Sequence, residues 1–380
     1  MSSEWRHVRI DEIADVVGGG TPKTGEPDYW DGDIGWISPR DLSSRSARYI
    51  SRGARSITAR GLHESSAQLL PAGTVLVSSR APIGYVAIAE QPLATNQGFK
   101  SLVLGEGCLP EFYYYVMSTM KPAMEAVAGG STFKEISGRV MKALVVPLPP
   151  LDEQCAIAEV LGSLDTRIEW AGSLRRVVLE LLVAVFQHGA TEHRRVEDVA
   201  AVIPGQSPPG STYNDAGLGL PFYQGSAQFG PLIPQVEKWC SEPQRVAEAG
   251  DILFSVRAPV GDLNVAEEQC CIGRGVAAIR SHYRAALYAA LRSATGEWSI
   301  HDSSGTVFGS ITGRSLREAC IPWPPNVDAL SPTFEALLDS AMAAEGEAKV
   351  LQAARAALLP KLVSGEIRIE DPERLLDQVA

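Results

Sequence analysis

The sequence predicts an α+β fold of two homologous globular domains in tandem, each followed by a long helix, with the two helices pairing as an antiparallel coiled coil. Three observations carry this. An internal repeat has a period of about half the 380 residues. Each copy mixes short β-branched runs with helical stretches bounded by Gly and Pro. After each Pro-rich exit, apolar residues step by three and four for many turns. The resulting partition is residues 1–150, a first globular domain; 151–189, a central helix; 190–325, a second globular domain; and 326–380, a C-terminal helix and tail.

The repeat is read segment by segment. Ile10–Pro22 aligns with Val196–Pro208 without a gap, apolar on apolar, at an offset of 186. At that offset the aromatic, strand-like run Ile34–Ser38 falls on Leu220–Gln224. Gly73–Gly84 (GTVLVSSRAPIG) matches Gly250–Gly261 (GDILFSVRAPVG) at an offset of 177, and Gly130–Gly138 matches Gly305–Gly313. Val75–Ser78 and Ile252–Ser255 read as strands, and Glu111–Met120 and Tyr283–Ser293 as helices.

Beyond the exit Pro147–Pro150, Asp152 reads as the N-cap. The stripe Ile157, Leu161, Leu164, Ile168, Ala171, Leu174, Val178, Leu181 and Val185 follows, with Gly189 at the end. Beyond Pro322–Pro325, Ser331 reads as N-cap and Pro332 as the first helical residue. Phe334, Leu337, Ala341, Ala344, Ala348, Leu351 and Leu358 then continue in heptad spacing, and Pro360 is expected to end or kink the helix. Helices of about 30 to 36 residues, about 45 to 54 Å, are too long and narrowly striped for a domain core. Antiparallel pairing would relate the two domains by a pseudo-two-fold axis, the symmetry with which DNA readers place two modules on separate half-sites; the alternative is that each helix folds back on its own domain, as single amphipathic helices do.

Composition excludes several classes. Hydrophobic content of 45% with 21% charged residues is that of a globular chain. The start lacks an apolar core, and the richest apolar stretch, Leu179–Phe186, is short and carries Glu180, so neither signal peptide nor membrane span is expected and the location is read as cytoplasmic. Six cysteines without C-x-x-C spacing read as structural thiols. The net charge of -11 argues against nucleic acid until its distribution is seen. Residues 1–150 hold 15 basic and 15 acidic side chains, 151–194 hold 4 and 7, 195–325 hold 10 and 13, and 326–380 hold 5 and 10. Arg40, Arg45, Arg48, Arg52, Arg55 and Arg60 face one acid, Asp41, a local patch of +5.

The chain resembles the specificity subunit of type I restriction-modification systems. The motifs that carry the resemblance are Gly18–Thr24 with Trp36–Leu42, Ser79–Gly84, Thr95–Gly98 and Pro147–Gln154 in the first half. In the second they are Pro204–Pro209, Leu220–Gly225, Ser255–Gly261 and Leu358–Glu366. Two departures stand out: Asn326–Ala329 replaces the Asp-Glu-Gln helix entry, and Thr95–Gly98 is answered by Ile272–Gly275. The resemblance implies a non-catalytic DNA-recognition subunit of a methyltransferase/endonuclease complex. Two target recognition domains each read one half of a split, asymmetric double-stranded DNA target. The helices hold two modification (methyltransferase) subunits, and restriction (endonuclease/motor) subunits join that core. No cofactor is expected in this chain; S-adenosylmethionine and ATP belong to the partner subunits. The alternative is an acidic two-domain protein-protein adaptor without DNA readout, which the salt dependence of binding to random duplex separates from a reader.

The residues agree with a reader. No N/D-P-P-Y/F methyltransferase motif, phosphate-binding G-x-x-x-x-G-K-S/T or metal-spaced histidines appear in the sequence. The turns of Gly20, Thr21, Pro22 and Lys23, and of Gln206 and Ser207, can offer backbone N–H groups to phosphate or simply end a strand. Arg80 and Arg257 sit in matching Ser-x-Arg-Ala-Pro-x-Gly turns, able to meet guanine or phosphate, or a carboxylate that fixes the turn. Domains reading different half-sites should differ where they touch bases, as Ser38 and Arg40 differ from Gln224 and Ser226; Arg40 suits guanine and Gln224 adenine, while Trp36 and Phe222 suit core packing. Arg45, Arg52 and Arg274 complete the DNA-binding candidates. The candidate partner-binding residues are Ile157, Leu161, Leu164, Ile168, Leu337, Leu351 and Leu358. Asp28, Asp31 and Asp33 are read as a solvated loop, since Asn214, Gly217 and Gly219 stand at the repeat positions. His301-Asp302-Ser303 is contiguous and cannot form a triad.

Overall fold

Two helices that are apolar on every side fix the cores. Phe112–Met117 and Ala285–Leu291 have no polar face to give to water, and each run is buried throughout. The structure, a computed structural model, describes residues 5–43, 47–130, 134–299 and 309–369. Arg45 and His301–Ser303 lie outside the described residues, as do residues 131–133 and 305–308 of the Gly130–Gly138 and Gly305–Gly313 match. The described chain is mixed α/β and divides into two compact units. The first runs to Glu169 and resumes at Val350, and the second runs from Trp170 to Lys349.

In chain order the first unit carries β1 (Arg6–Arg9), β2 (Ala14–Gly18), β3 (Trp30–Ile37), α1 (Pro39–Leu42), β4 (Tyr49–Ile50), β5 (Arg55–Ile57), α2 (Ala59–His63), β6 (Val75–Val77), β7 (Val86–Ala89), β8 (Leu93–Thr95), β9 (Lys100–Leu104), α3 (Pro110–Thr119), α4 (Lys121–Val127), α5 (Gly138–Ala143), β10 (Val145–Leu148) and the start of α6 (Leu151–Gly189). Its sheets run β2-β9-β6-β7-β4 and β5-β3-β8, with β1-β10 as a separate ribbon. The second unit takes the rest of α6, then β11 (Glu192–Arg195), α7 (Val196–Val199), β12 (Ala201–Pro204), β13 (Tyr213–Asn214), β14 (Leu220–Tyr223), β15 (Trp239–Cys240), β16 (Val246–Ala247), β17 (Ile252–Ser255), β18 (Leu263–Val265), β19 (Cys270–Ile272), β20 (Val276–Arg280), α8 (Arg284–Ser293), α9 (Thr295–Ser299), α10 (Gly313–Glu318), β21 (Cys320–Trp323) and most of α11 (Val327–Ser364). Its sheets run β12-β20-β17-β18 and β13-β15-β14-β19-β16, with the ribbon β11-β21. In each unit the ribbon ties the entry of the globular part to its exit: Arg6 faces Leu148, and Glu192 faces Trp323.

The long helices run 39 and 38 residues, beyond the expected length, because their boundaries differ from the expected ones. α6 begins at Leu151, one residue before the expected cap Asp152; the Gln154 N–H reaches Pro150 O at 3.0 Å. The fully buried Gln154 side chain locks this start, accepting from Leu109 N–H at 2.8 Å and donating to Pro149 O and Gly107 O at 2.9 Å. α11 begins at Val327, with Ala329 N–H on Asn326 O at 3.0 Å, so Ser331 and Pro332 sit in its second turn rather than at its start. Pro360 likewise lies inside the helix. Both prolines are exposed, as are Asp328 and Ala356, whose carbonyls they leave without the usual donor and open to water. α11 stops at Gly365, whose φ of +76° is one that residues with a Cβ rarely adopt. A Cβ there would also lie 3.0 Å from the Trp5 ring.

Each unit packs its own share of both helices. In the first, Ile157, Leu161 and Leu362 join Phe112, Tyr113 and Val146 in one core, and Arg355 pairs with Asp165. In the second, Leu182, Phe186, Phe334 and Leu338 join Phe254 and Trp298. There Arg175 pairs with Glu345 and the Phe186 and Phe334 rings meet at 5.8 Å, so eleven residues forward along α6 are eleven back along α11. The residues expected to bind a partner are therefore used inside the chain. Ile157, Leu161, Leu164 and Leu351 are buried, and Ile168, Leu337 and Leu358 half-buried. Leu174 and Leu181 face solvent instead of the seam. No helix among the described residues is long and apolar enough to cross a membrane.

Candidate nucleic-acid interface

In the first unit three loops converge where β3 and β8 lie parallel with Ile37 opposite Thr95. Gly20 N–H donates to Thr95 O (2.9 Å), Asn96 N–H to Ile37 O (2.9 Å), and Ser79 N–H to Gly98 O (2.7 Å). Gly19 must be glycine, since a Cβ would stand 2.0 Å from Asn96 O. The loops frame an open cleft of about 550 Å³ lined by Ser38, Arg40, Arg80, Asn96 and Gln97. At its rim the Thr21 hydroxyl donates to Gln97 Oε1. Arg80 Nε lies 3.0 Å from Glu135 Oε2, and Lys100 Nζ lies 3.6 Å from the other carboxylate oxygen.

The second unit repeats this frame bond for bond. β14 and β19 lie parallel with Tyr223 opposite Ile272. Gln206 N–H donates to Ile272 O (3.0 Å), Gly273 N–H to Tyr223 O (2.8 Å), and Val256 N–H to Gly275 O (3.0 Å). Arg274 Nε donates to Ser207 Oγ at 3.3 Å, where Thr21 meets Gln97 in the first unit. Gln224 Nε2 also donates to Ser207 Oγ, at 3.0 Å. Arg257 is exposed beside Ser310, which stands in Glu135's place and offers no carboxylate.

The frame corrects several expectations. Gly20 and Pro22 are buried, and the Gly20 and Gln206 N–H groups close the strands, so neither donor is left for phosphate. Thr21 and Ser207 act through their hydroxyls. Lys23 is exposed, and its carbonyl takes the Trp30 indole N–H at 3.2 Å. Ser38 caps α1 through Asp41, its hydroxyl donating at 2.6 Å. Asp41 also accepts Ser38 N–H at 2.7 Å and Ala54 N–H at 2.8 Å. Burial works to raise its pKa, but the Ser38 hydroxyl and these backbone donors outweigh it and hold the carboxyl below its usual range. Trp36 and Phe222 are core: Trp36 donates to Gly20 O at 2.9 Å, and Phe222 stacks on Tyr213 at 4.5 Å.

The patch of +5 is smaller in three dimensions than in sequence. Arg48 turns away to Asp165 (3.7 Å) and the Tyr115 hydroxyl (3.2 Å), and Arg60 pairs with Asp28 at 3.1 Å. Arg55 lies over the Trp30 ring at 3.4 Å. Exposed Arg40 lines the cleft. Arg52 is exposed outside it, reaching Gly32 O at 3.3 Å. In the second unit Arg257, Arg274 and Gln224 are exposed and Ser226 half-buried. Sequence reasoning omitted Gln97, Lys100 and Glu135; the signal for Gln97 was its repeat partner Arg274. Among the described residues no group of His, Cys, Asp and Glu is arranged to hold a metal ion. The rims offer guanidinium, amide and hydroxyl groups, the chemistry of hydrogen-bonded recognition.

Residues 2–176 match the family model described as the type I restriction modification DNA specificity domain. The chain is 29% identical to the type I restriction enzyme MjaIX specificity subunit of Methanocaldococcus jannaschii, over 98% of this chain and 95% of that one. It is 30% identical to the putative type I restriction enzyme MjaX specificity subunit of the same organism, over 77% of each. Among solved structures, the type I restriction-modification system S subunit from M. genitalium shares the fold. Its TM-score is 0.64 at 18% identity, over 95% of this chain and 96% of that one.

Proposed function

This chain belongs to the family of type I restriction enzyme specificity subunits, and from that premise we propose that it reads a split, asymmetric duplex, one half-site per unit. The observation that carries the reading is the rim built twice. The same three backbone hydrogen bonds hold Thr21 and Gln97 in one unit and Ser207 and Arg274 in the other, while the exposed side chains differ. Shared frames with different tips suit two readers of different sequences. The acidic adaptor alternative finds no support in the relatives.

In this reading residues 1–150 and 190–325 are the two target recognition domains, residues 151–189 are the central helix and 326–380 the C-terminal helix and tail, and the two helices pair as an antiparallel coiled coil that carries modification subunits. Two ion pairs of opposite polarity support the pairing. α6 supplies the acid to Arg355 and the arginine to Glu345, so a parallel or slipped arrangement would leave charges unmatched. Trp170, Leu174, Val177 and Leu181 are exposed on α6, 49% or more each, and offer a protein partner an apolar stripe. The chain itself is non-catalytic. Methyl transfer with S-adenosylmethionine and ATP-driven restriction belong to its partners, and the assembly works in the cytoplasm. Methylation mapping in a host that carries the chain with its modification subunit tests this. A motif of two short half-sites separated by unread base pairs is expected, and one continuous motif, or none, would sink the reading.

A further inference from the structure

Gln97 and Arg274 stand 177 residues apart at the same place in the repeat. Each is exposed at the tip of a turn that leaves a parallel strand pair, Ile37 with Thr95 and Tyr223 with Ile272. The hydroxyl that holds each is itself a repeat pair, Thr21 and Ser207, 186 residues apart. The backbone beneath is the same, so the difference between the tips lies in the side chain.

That difference is chemical. The Gln97 amide has one oxygen lone pair occupied by Thr21. Its second lone pair and its NH2 group remain, an acceptor beside a donor, which matches the N6 and N7 edge of adenine in the major groove. Arg274 has Nε occupied by Ser207. Its two terminal nitrogens remain as a fork, which matches O6 and N7 of guanine. Gln224, the sequence-based candidate for adenine, has its amide turned onto Ser207, the same hydroxyl oxygen that accepts Arg274 Nε.

We propose that Gln97 and Arg274 are the equivalent base-reading residues of the two units, Gln97 meeting an adenine in one half-site and Arg274 a guanine in the other. Thr21 and Ser207 are positioning residues that fix the amide and the guanidinium. This rests on the reading of the chain as a two-half-site DNA reader.

The test is methylation mapping of the full chain assembled with its modification subunit, for wild type, Gln97→Arg and Arg274→Gln. Gln97→Arg should exchange one A·T pair for G·C in one half-site, and Arg274→Gln should do the converse in the other, with the gap unchanged. Duplex competition should show about a 10- to 100-fold change in discrimination at that pair. An unchanged motif, or a uniform loss of affinity for every duplex as from a phosphate contact, would overturn the proposal. A wild-type complex that writes no split motif would instead defeat the underlying reading. If either exchange fails to assemble, Thr21→Val and Ser207→Ala keep the core shape and should lower discrimination at the same two pairs; undiminished discrimination there overturns the proposal equally.

Discussion

Arg175 on α6 and Glu345 on α11 form an ion pair inside the helix seam of the second unit, with 19% and 6% of their side-chain surface left to water. Ala171, Leu182, Ala341 and Ala348 are buried on the same two helices, so the charges sit in a largely apolar strip and depend on one another. Arg175→Ala leaves Glu345 buried without its partner and should cost about 3–5 kcal/mol. Replacing both at once, Arg175→Met with Glu345→Leu, should be near neutral or stabilising. Urea unfolding of wild type and the two variants checks this, and an Arg175→Ala chain as stable as wild type would show that the pair contributes no stability.

The same arginine explains where the sequence reading of α6 slipped. Counting apolar residues alone takes the stripe from Ala171 to Leu174 and Leu181, yet the buried positions are Leu182 and Phe186. The seam passes through Arg175, a charged residue that a hydrophobic pattern skips, so Leu174 and Leu181 fall one residue short of it, while Val178 and Val185 pack half-buried against the core. By contrast, Ile252–Ser255 was legible to the residue, because a short β-branched run between Gly250 and a Pro-bearing turn has few alternatives. The repeat was legible too, since loop insertions change its offset from 186 to 177 without disturbing either frame. The rims were legible in part. Arg40 and Arg80 announced themselves by charge, whereas Glu135's hold on Arg80 and Lys100 joins residues 55 and 35 positions apart that no local pattern connects.

Arg40 lines the cleft and Arg52 stands outside it, which separates their roles. Arg40→Ala should relax recognition at one pair of the first unit's half-site by about 1–3 kcal/mol. Arg52→Ala should weaken all duplexes alike and reduce the salt slope by about one. Competition binding with singly substituted duplexes at several salt concentrations reads both effects. Base preferences left intact by Arg40→Ala would assign it to the backbone.

Asp41 gives a pH signature. Its carboxyl is held below its usual range in the folded chain, so its contribution is fully present above the ordinary aspartate pKa of about 3.9 and is lost as pH falls through the lowered value. Asp41→Asn should therefore destabilise the first unit at neutral pH by about 1 kcal/mol, the scale of a lost cap. The gap to wild type should close in acid. A gap independent of pH would show that shape rather than charge matters at this position.

The thiols divide by burial. Cys240, Cys270 and Cys271 are buried, and burial first, then neighbouring groups, pushes Cys270 and Cys271 up to about 12. Thiolate is the reactive form, so these should resist alkylation at neutral pH while exposed Cys155 and Cys320 label first. Peptide mapping after brief iodoacetamide treatment decides it. Early labelling of Cys270 would mean that the second unit opens.

Trp170, Leu174, Val177 and Leu181 recur every three or four residues on α6, which puts them on one face of the helix. Trp170 is 77% exposed, and the seam residues Leu182 and Phe186 are fully buried on a different side of the helix. Exposed residues contribute little to the fold, so Leu174→Asp should leave the melting temperature of the chain within a degree or so of wild type. A modification subunit that covers the stripe would have to bury that carboxylate, which should lower its affinity at least about tenfold. Arg176→Ala, exposed on α6 away from both the stripe and the seam, serves as the control and should bind as wild type does. Light-scattering titration of the three chains against the modification subunit gives the answer. If Leu174→Asp assembles as tightly as the control, the modification subunit docks elsewhere on the chain.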